Sequence, residues 1–164
     1  MVEGMRVTVL GASGRTGRAL VSQALEAGYE VVAFARDRSK LGIEHERLTV
    51  IEGDATDVAS LERSVAGADA VLSGLGPVKG GDPRFMPRAA LESSDAAYRT
   101  IVASGLDWTV ARVPRLKDGP REHDLREVEA PPGPVAASRA DVAAWMLTAA
   151  GDKSTVHRSP FLVV

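Results

Sequence analysis

The chain has 164 residues, carries 20 Lys and Arg against 22 Asp and Glu for a formal net charge of −2, and contains no cysteine. That length suits one domain. The charge gives no global attraction to nucleic acid or to an anionic membrane, and the missing thiols exclude disulfides, thiolate catalysis and Cys-ligated metals. His45, His123 and His157 stand isolated without an HExxH-like pair, so no metal site is expected. No apolar run approaches the roughly 20 residues of a membrane span.

In chain order, Arg6–Leu10 is an apolar run that reads as a buried strand. It begins so early that no signal-peptide apolar region precedes it, and the expected location is cytoplasmic. The chain then turns at Gly11. A helix is predicted from about Gly14 to Ala27, with Leu20, Val21, Ala24 and Leu25 on one face and Gly28 as its stop. Strand Glu30–Ala35, a polar stretch Arg36–Glu46 and strand Leu48–Glu52 follow. Val58, Leu61 and Val65 fall at helical spacing within a helix over about Asp57–Ala66, and Ala70–Ser73 is the next strand. Gly74–Pro83 is rich in Gly and Pro and is expected to be a loop. A helix over about Pro87–Ser104 ends at Gly105. Asp107–Arg112 reads as a strand and 114–135 as irregular. Ser138–Ala150 reads as a helix capped by Ser138 with Asp141 at N3, a capping-box-like pair. Phe161–Val164 is a short terminal strand.

Strand and helix patterns alternate, which predicts an α/β fold. The expected architecture is a Rossmann-like, doubly wound parallel sheet of about six strands in three αβα layers, forming a single domain over residues 1–164. Residues 114–137 are too long and too broken for a plain connection and are expected to form a lid or binding loop.

Gly11, Gly14 and Gly17 have GxxGxxG spacing between an apolar strand and an amphipathic helix, and a second strand follows. Gly11 permits the tight turn, Gly14 lets a pyrophosphate approach the backbone, and Gly17 allows close packing of helix on sheet. The N–H groups at the helix start attract a phosphate, which in a βαβ unit usually belongs to a dinucleotide. Gly11, Ser13, Gly14, Arg15, Thr16 and Gly17 are therefore candidate cofactor contacts, and residues 1–76 the cofactor half. In an NAD site the second strand ends in an acid that bonds the ribose 2′-OH. Here Arg36 stands in that place, and Arg15 lies in the glycine turn facing it. Two guanidinium groups suit a 2′-phosphate dianion, so NADP(H) is the expected cofactor. Arg38 and Lys40 would add diffuse attraction, whereas Asp37, if it pointed inward, would repel the phosphate and favour NAD.

Six segments occur in a telling order: Gly-Ala-Ser-Gly-Arg-Thr-Gly (11–17), Phe-Ala-Arg-Asp-Arg-Ser-Lys-Leu (34–41), Glu-Gly-Asp-Ala-Thr-Asp (52–57), Ala-Gly-Ala-Asp-Ala-Val-Leu-Ser-Gly-Leu-Gly (66–76), Ser-Gly-Leu-Asp-Trp-Thr-Val (104–110) and Ser-Arg-Ala-Asp-Val-Ala (138–143). Together they resemble the atypical short-chain dehydrogenase/reductases, nearest to the NmrA-like proteins and the flavin reductase/biliverdin reductase B group. The resemblance implies that Asp54 and Ala55 meet the adenine. It implies that Gly74, Leu75 and Gly76 border the ribose and nicotinamide side. Arg112 stands where these proteins carry an Arg-Pro pair, although Val113 here intervenes before Pro114; Arg112 and Pro114 are the substrate-side candidates.

Relatives carry a further helix and a serine-bearing strand in the region 76–88, and this sequence has neither, nor a Tyr-x-x-x-Lys pair. A single helix then leads to 107–112, which predicts that this segment fills the lost strand's position beside Ala70–Ser73. A shortened sheet leaves an apolar surface that favours a homodimer. The catalytic residues stay open. Ser73 ends its strand near the nicotinamide region, with a backbone-turn role as the alternative. Tyr98 is a proton donor only if it faces the cleft. His123, in the expected loop, touches substrate or is simply solvated. Trp108 and Trp145 read as core. The first functional expectation is an NADPH-dependent reductase acting on a small conjugated ring such as a flavin or quinone. The alternatives are a non-catalytic NADP(H)-sensing regulator of the NmrA-like kind and a non-redox biosynthetic isomerase or cyclase.

Overall fold

The computed structural model describes residues 4–75, 88–130, 133 and 135–164, with backbone only for 88–94. Its elements are β1 (Arg6–Leu10), α1 (Arg15–Glu26), β2 (Glu30–Ala35), β3 (Leu48–Glu52), α2 (Val58–Val65), β4 (Ala70–Ser73), α3 (Arg88–Val102), β5 (Leu116–Lys117), β6 (Arg126–Val128), β7 (Ala137–Ser138), α4 (Arg139–Ala150) and β8 (Phe161–Val163). No described helix is long and apolar enough to cross a membrane.

The central sheet runs in the order β3-β2-β1-β4, every pair parallel. Parallel strands covered on both faces are apolar at successive positions, and β2 is buried continuously from Val31 to Ala35. The pleat sends alternate residues to opposite faces. Val7, Val9, Val31, Ala33 and Leu72 join one cluster with Leu20, Val21 and Ala24 of α1 and Ala143 and Leu147 of α4. The two helices lie against each other, and Gln23 Nε2 donates to the Ala140 carbonyl at 2.9 Å. On the other face Thr8 Oγ1 donates to the Ser64 carbonyl of α2 at 2.6 Å. Helices therefore cover both faces, which is the expected doubly wound, Rossmann-like arrangement.

Helix ends follow local chemistry. α1 stops where Gly28 takes φ +86 and its N–H reaches the Leu25 carbonyl at 3.0 Å. The Asp57 side chain caps α2 through Ser60 N at 3.3 Å, and Ser138 caps α4 through Asp141 N at 2.9 Å.

The sheet departs from the expected six strands: the central sheet has four among the described residues. Asp107–Arg112 is not a continuous strand beside β4. It meets the C-terminal segment through isolated parallel bridges, Thr109 to Arg158 and Arg112 to Phe161. Val110 and Arg112 donate to the carbonyls of Arg158 and Pro160 at 3.0 and 2.9 Å. Pro160 has no N–H to return to this ladder, and His157, at φ +60, takes the chain out of extended geometry. The C-terminal strand β8 pairs antiparallel with β6 rather than joining a parallel sheet. The stretch expected to be irregular holds β5 and β6, and β5 pairs parallel with β7. Strands of two or three residues are too short to display a period in sequence. The expected loss of a helix and strand after Gly76 falls on residues outside the described ones.

Gly53, just after β3, has no room for a side chain: a Cβ would lie 2.7 Å from both Phe34 Cε2 and Ser60 Cβ. Both neighbours are buried. Gly53→Ala is expected to cost about 1–3 kcal/mol, lowering Tm by roughly 2–12 °C in a thermal melt. An unchanged Tm would mean that the Phe34 ring yields freely.

Candidate functional site

The site begins where β1 ends. Gly11 adopts φ +71, and its carbonyl accepts the Gly14 N–H at 2.9 Å. Gly14 then caps α1 with extended backbone, no side-chain capping bond and no acid in the first turn. The N–H groups of Arg15, Thr16 and Gly17 consequently have no intrahelical acceptor, and no carboxylate of the helix's first turn neutralises its positive end. A Cβ on Gly17 would lie 2.8 Å from Ala12 Cα and closer still to the Gly11 carbonyl oxygen, and one on Gly74 would lie 3.0 Å from Gly17 N. A Cβ on Gly11 would meet Leu75 Cδ2 at 3.0 Å. The end of β1, the start of α1 and the turn after β4 thus meet backbone to backbone. They do so at the carboxyl edge of the sheet, where open α/β folds place ligands. Ser13 and Thr16 are half-buried on this turn, while Gly14 and Arg15 are exposed. A glycine cradle whose N–H groups have no acceptor among the described residues fits a pyrophosphate.

Beside it, Arg36, Glu52, Gly53 and Asp54 line an open groove of about 400 Å³. Asp54 Oδ1 accepts from Thr56 Oγ1 at 2.7 Å and from Thr56 N at 2.9 Å. Those two bonds, aided by the Arg36 charge, hold the Asp54 carboxyl below the usual carboxylate range. Asp37 is engaged elsewhere. Its carboxylate accepts from Ser39 Oγ at 2.6 Å and Ser39 N at 3.0 Å, and pairs with Lys40 at 3.2 Å. Lys40 is therefore tied to Asp37. Arg36 makes no ion pair with any described residue. Glu52 and Gly53 were not among the residues expected here. Their place directly after a strand at the carboxyl edge is the signal that could have found them. Glu52 accepts the Arg38 N–H at 2.8 Å, fixing the bend that follows β2.

Arg15 does not line this groove. Its Nη1 donates to Asp118 Oδ2 at 2.8 Å, and Arg139 Nη1 donates to Asp118 Oδ1 at 2.6 Å. Asp118 belongs to the expected lid, which is strapped onto the start of α4. Ser138 Oγ donates to the Pro120 carbonyl at 3.1 Å, and Asp141 Oδ1 accepts the N–H groups of Glu122 and His123 at 2.8 and 3.0 Å. Asp141 is 1% exposed. Burial by itself raises its pKa, but the N–H groups of His123 and Glu122 and the bond with Ser138 outweigh this and hold the carboxyl below its ordinary value. It does more than charge a helix terminus: it anchors the loop.

The substrate-side candidates do not converge. Arg112 sits between two rings, its Cζ 5.4 Å from the Tyr98 centroid and 5.3 Å from that of Phe161. Tyr98 also meets the Trp108 ring edge-on at 6.0 Å, and Trp108 lies 5.7 Å from His157. Phe161 and His157 were not foreseen in this cluster. Pro114 is exposed, and His123 is held by its backbone with its ring 3.9 Å from Glu122 Oε2. Ser73 is exposed at the end of β4; Ala55 is half-buried beside the Asp54 groove. Gly76 lies outside the described residues.

Asp141→Ala removes the acceptor of two loop N–H groups. It is expected to cost about 1–3 kcal/mol, read by urea unfolding, and to open the bond after Arg121 to trypsin. Unchanged cleavage at Arg121 would show that β5–β7 pairing alone holds the loop.

A family model described as NAD(P)H-binding matches residues 11–86 and 79–153. A 3-beta-hydroxysteroid dehydrogenase of Mycolicibacterium neoaurum is 42% identical over 67 residues, which are 41% of this chain and 18% of that protein. The chain thus spans only a small part of that relative's length. A wide-type short-chain dehydrogenase/reductase from Veillonella parvula, solved in complex with NADP, superposes with a TM-score of 0.85 at 20% identity, covering 98% of this chain and 94% of that one. A Rossmann-fold NAD(P)-binding family protein from Shigella flexneri gives a TM-score of 0.81 at 22% identity, covering 96% and 92%. ChuY, an anaerobillin reductase from Escherichia coli, gives 0.72 at 20% identity, covering 97% of each chain. These similarities show the Rossmann fold. The family match takes in the glycine cradle, the groove after β3 and the capped start of α4, so the chain belongs to the NAD(P)H-binding family.

Proposed function

We propose that this protein is an NADPH-dependent reductase that delivers hydride to a small conjugated ring, flavin- or quinone-like. The observation that carries the reading is the uncapped, acid-free start of α1 in its glycine cradle, with Arg36 in the adjoining groove where an acid would select NAD. Asp37, the acid next in sequence, is turned to Ser39 and Lys40, which supports NADP over NAD. The NADP complex of the Veillonella protein and the reductase activity named for ChuY support the same reading.

On this reading Gly11, Ser13, Gly14, Thr16 and Gly17 hold the pyrophosphate, and Arg15 and Arg36 serve the 2′-phosphate. Asp54 and Ala55 border the adenine, and Gly74 and Leu75 the nicotinamide side. A bound reduced nicotinamide supplies the hydride. The protein's part is orientation and the exclusion of water. Tyr98 is engaged with Trp108 and Arg112, which favours solvent as the proton source over a phenol. A cytoplasmic location and a small-molecule partner go with this reading. A sensing role would keep the same cofactor site without turnover.

NADPH consumption with flavins and quinones as acceptors is expected. Replacing both Arg15 and Arg36 by Gln should weaken NADPH by roughly 10- to 100-fold for each guanidinium removed and NADH far less, measured as Kd. Equal weakening of both dinucleotides would sink the NADP assignment. Similar affinity for NADP⁺ and NADPH with no turnover of any acceptor would point to a sensor.

A further inference from the structure

One carboxylate of the loop reaches across to the glycine turn. Asp118 bridges Arg15 and Arg139, and the two halves of the bridge differ. The Arg139 side chain is 15% exposed, whereas those of Arg15 and Asp118 are 57% and 62% exposed. The backbone around Asp118 is also fixed without any help from Arg15. Lys117 pairs with Ser138 in β5–β7, Ser138 Oγ bonds the Pro120 carbonyl, and buried Asp141 holds the N–H groups of Glu122 and His123. If the bridge opens, the exposed arginine leaves and the carboxylate stays with Arg139.

We propose that Asp118 is a specificity-determining residue of the dinucleotide site, a fixed carboxylate that competes with the ligand's 2′-phosphate for the Arg15 guanidinium. The inference rests on the glycine turn and its arginines being an NADP site. Arg15 sits on the glycine turn itself, and one of its Nη groups is already given to Asp118. An exposed ion pair is weak, and a phosphate dianion is the stronger acceptor for a guanidinium. A phosphorylated ligand therefore wins the arginine, but against a standing competitor that a ligand without the phosphate does not have to displace. The carboxyl is held below the usual range, first by the Arg15 hydrogen bond and then by the Arg139 charge, so it remains an anion throughout the neutral range. The effect is to narrow the preference for NADP over NAD from what two unopposed arginines would give.

The test is Asp118→Asn in the full chain, with Kd for NADP⁺ and NAD⁺ measured by calorimetry and again in an Arg15→Gln background. Loss of an exposed competitor should tighten NADP⁺ by about two- to fivefold, change NAD⁺ by less than twofold, and have no effect once Arg15 is absent. A thermal melt of each variant confirms that it is folded. Unchanged or weakened NADP⁺ binding would overturn the proposal and make Asp118 a support for Arg15. Equal tightening of NAD⁺ would also overturn it, since the carboxylate would then act on the shared pyrophosphate. If the parent chain binds neither dinucleotide, the reading of the site fails and this inference with it. If the parent binds NADP⁺ and the variant does not differ, only this inference fails.

Discussion

Gly17 stands against Gly11 and Gly74 with no space for a side chain between them. Everything at the carboxyl edge of the sheet depends on that contact. α1 can lie on β1 only if its first turn approaches the Gly11 carbonyl just after the strand at backbone distance, and the apolar stripe of Leu20, Val21, Ala24 and Leu25 is buried only if it does. Burying that stripe is worth several kcal/mol at roughly 1.5–3 kcal/mol per large aliphatic side chain. The same approach leaves the helix start without a side-chain cap, its first N–H groups unpaired among the described residues. Packing and an uncapped helix start are thus two consequences of one constraint. A larger residue at Gly17 would damage both together, so the glycines alone do not separate a fold requirement from a functional one. The absence of an acid or a capping side chain at Gly14 does separate them, because fold stability would be served better by a cap.

A second constraint fixes the other wall. Asp141 is buried at the start of α4, and two loop N–H groups donate to its Oδ1 and favour the carboxylate. Its folded pKa lies below its ordinary value. The stability it contributes is therefore present above that ordinary value and is lost as pH falls through the depressed one. By holding Glu122 and His123 it acts with the β5–β7 pairing and the Ser138–Pro120 bond to fix residues 118–123, and so where the Asp118 carboxylate meets Arg15. The loop expected to act as a lid is strapped down at several points, and among the described residues its exposed tie to the glycine turn is Asp118–Arg15.

The first half of the chain was legible because its signals are local and long enough. The apolar runs Arg6–Leu10, Glu30–Ala35, Leu48–Glu52 and Ala70–Ser73 are the four strands of the sheet, and Gly28 and Asp57 stop and start helices by their own chemistry. The second half was not. β5 and β7 are two residues each, and β6 three, so no period can show. Asp107–Arg112 has strand composition, yet Pro160 and the positive φ of His157 limit its partner. The Ser138–Asp141 cap could be read from spacing, whereas the hold of Asp141 on Glu122 and His123 is tertiary. The Arg15–Asp118 contact joins residues 103 apart, beyond any local pattern. Arg112 was placed with the substrate by analogy of position, and its actual neighbours, Tyr98 and Phe161, come from elements whose mutual approach no motif encodes.

Two arginines marked the cofactor end of this sequence, and their surroundings make them unequal. Arg36 projects from the end of β2 into the groove with Asp54. The acid that could have cancelled it, Asp37, is held by Ser39 and Lys40. Arg15 carries a carboxylate partner that is itself fixed by a nearly buried arginine. Charge around the two arginines is therefore set by Asp37 and Lys40 beside Arg36, and by Asp118 and Arg139 beside Arg15. Discrimination between dinucleotides would then rest on both arginines, with the share of Arg15 reduced by a pair worth at most about 1 kcal/mol. A site built this way can shift its preference by a change in the loop, far from the glycine turn, without disturbing the backbone contact on which the fold depends.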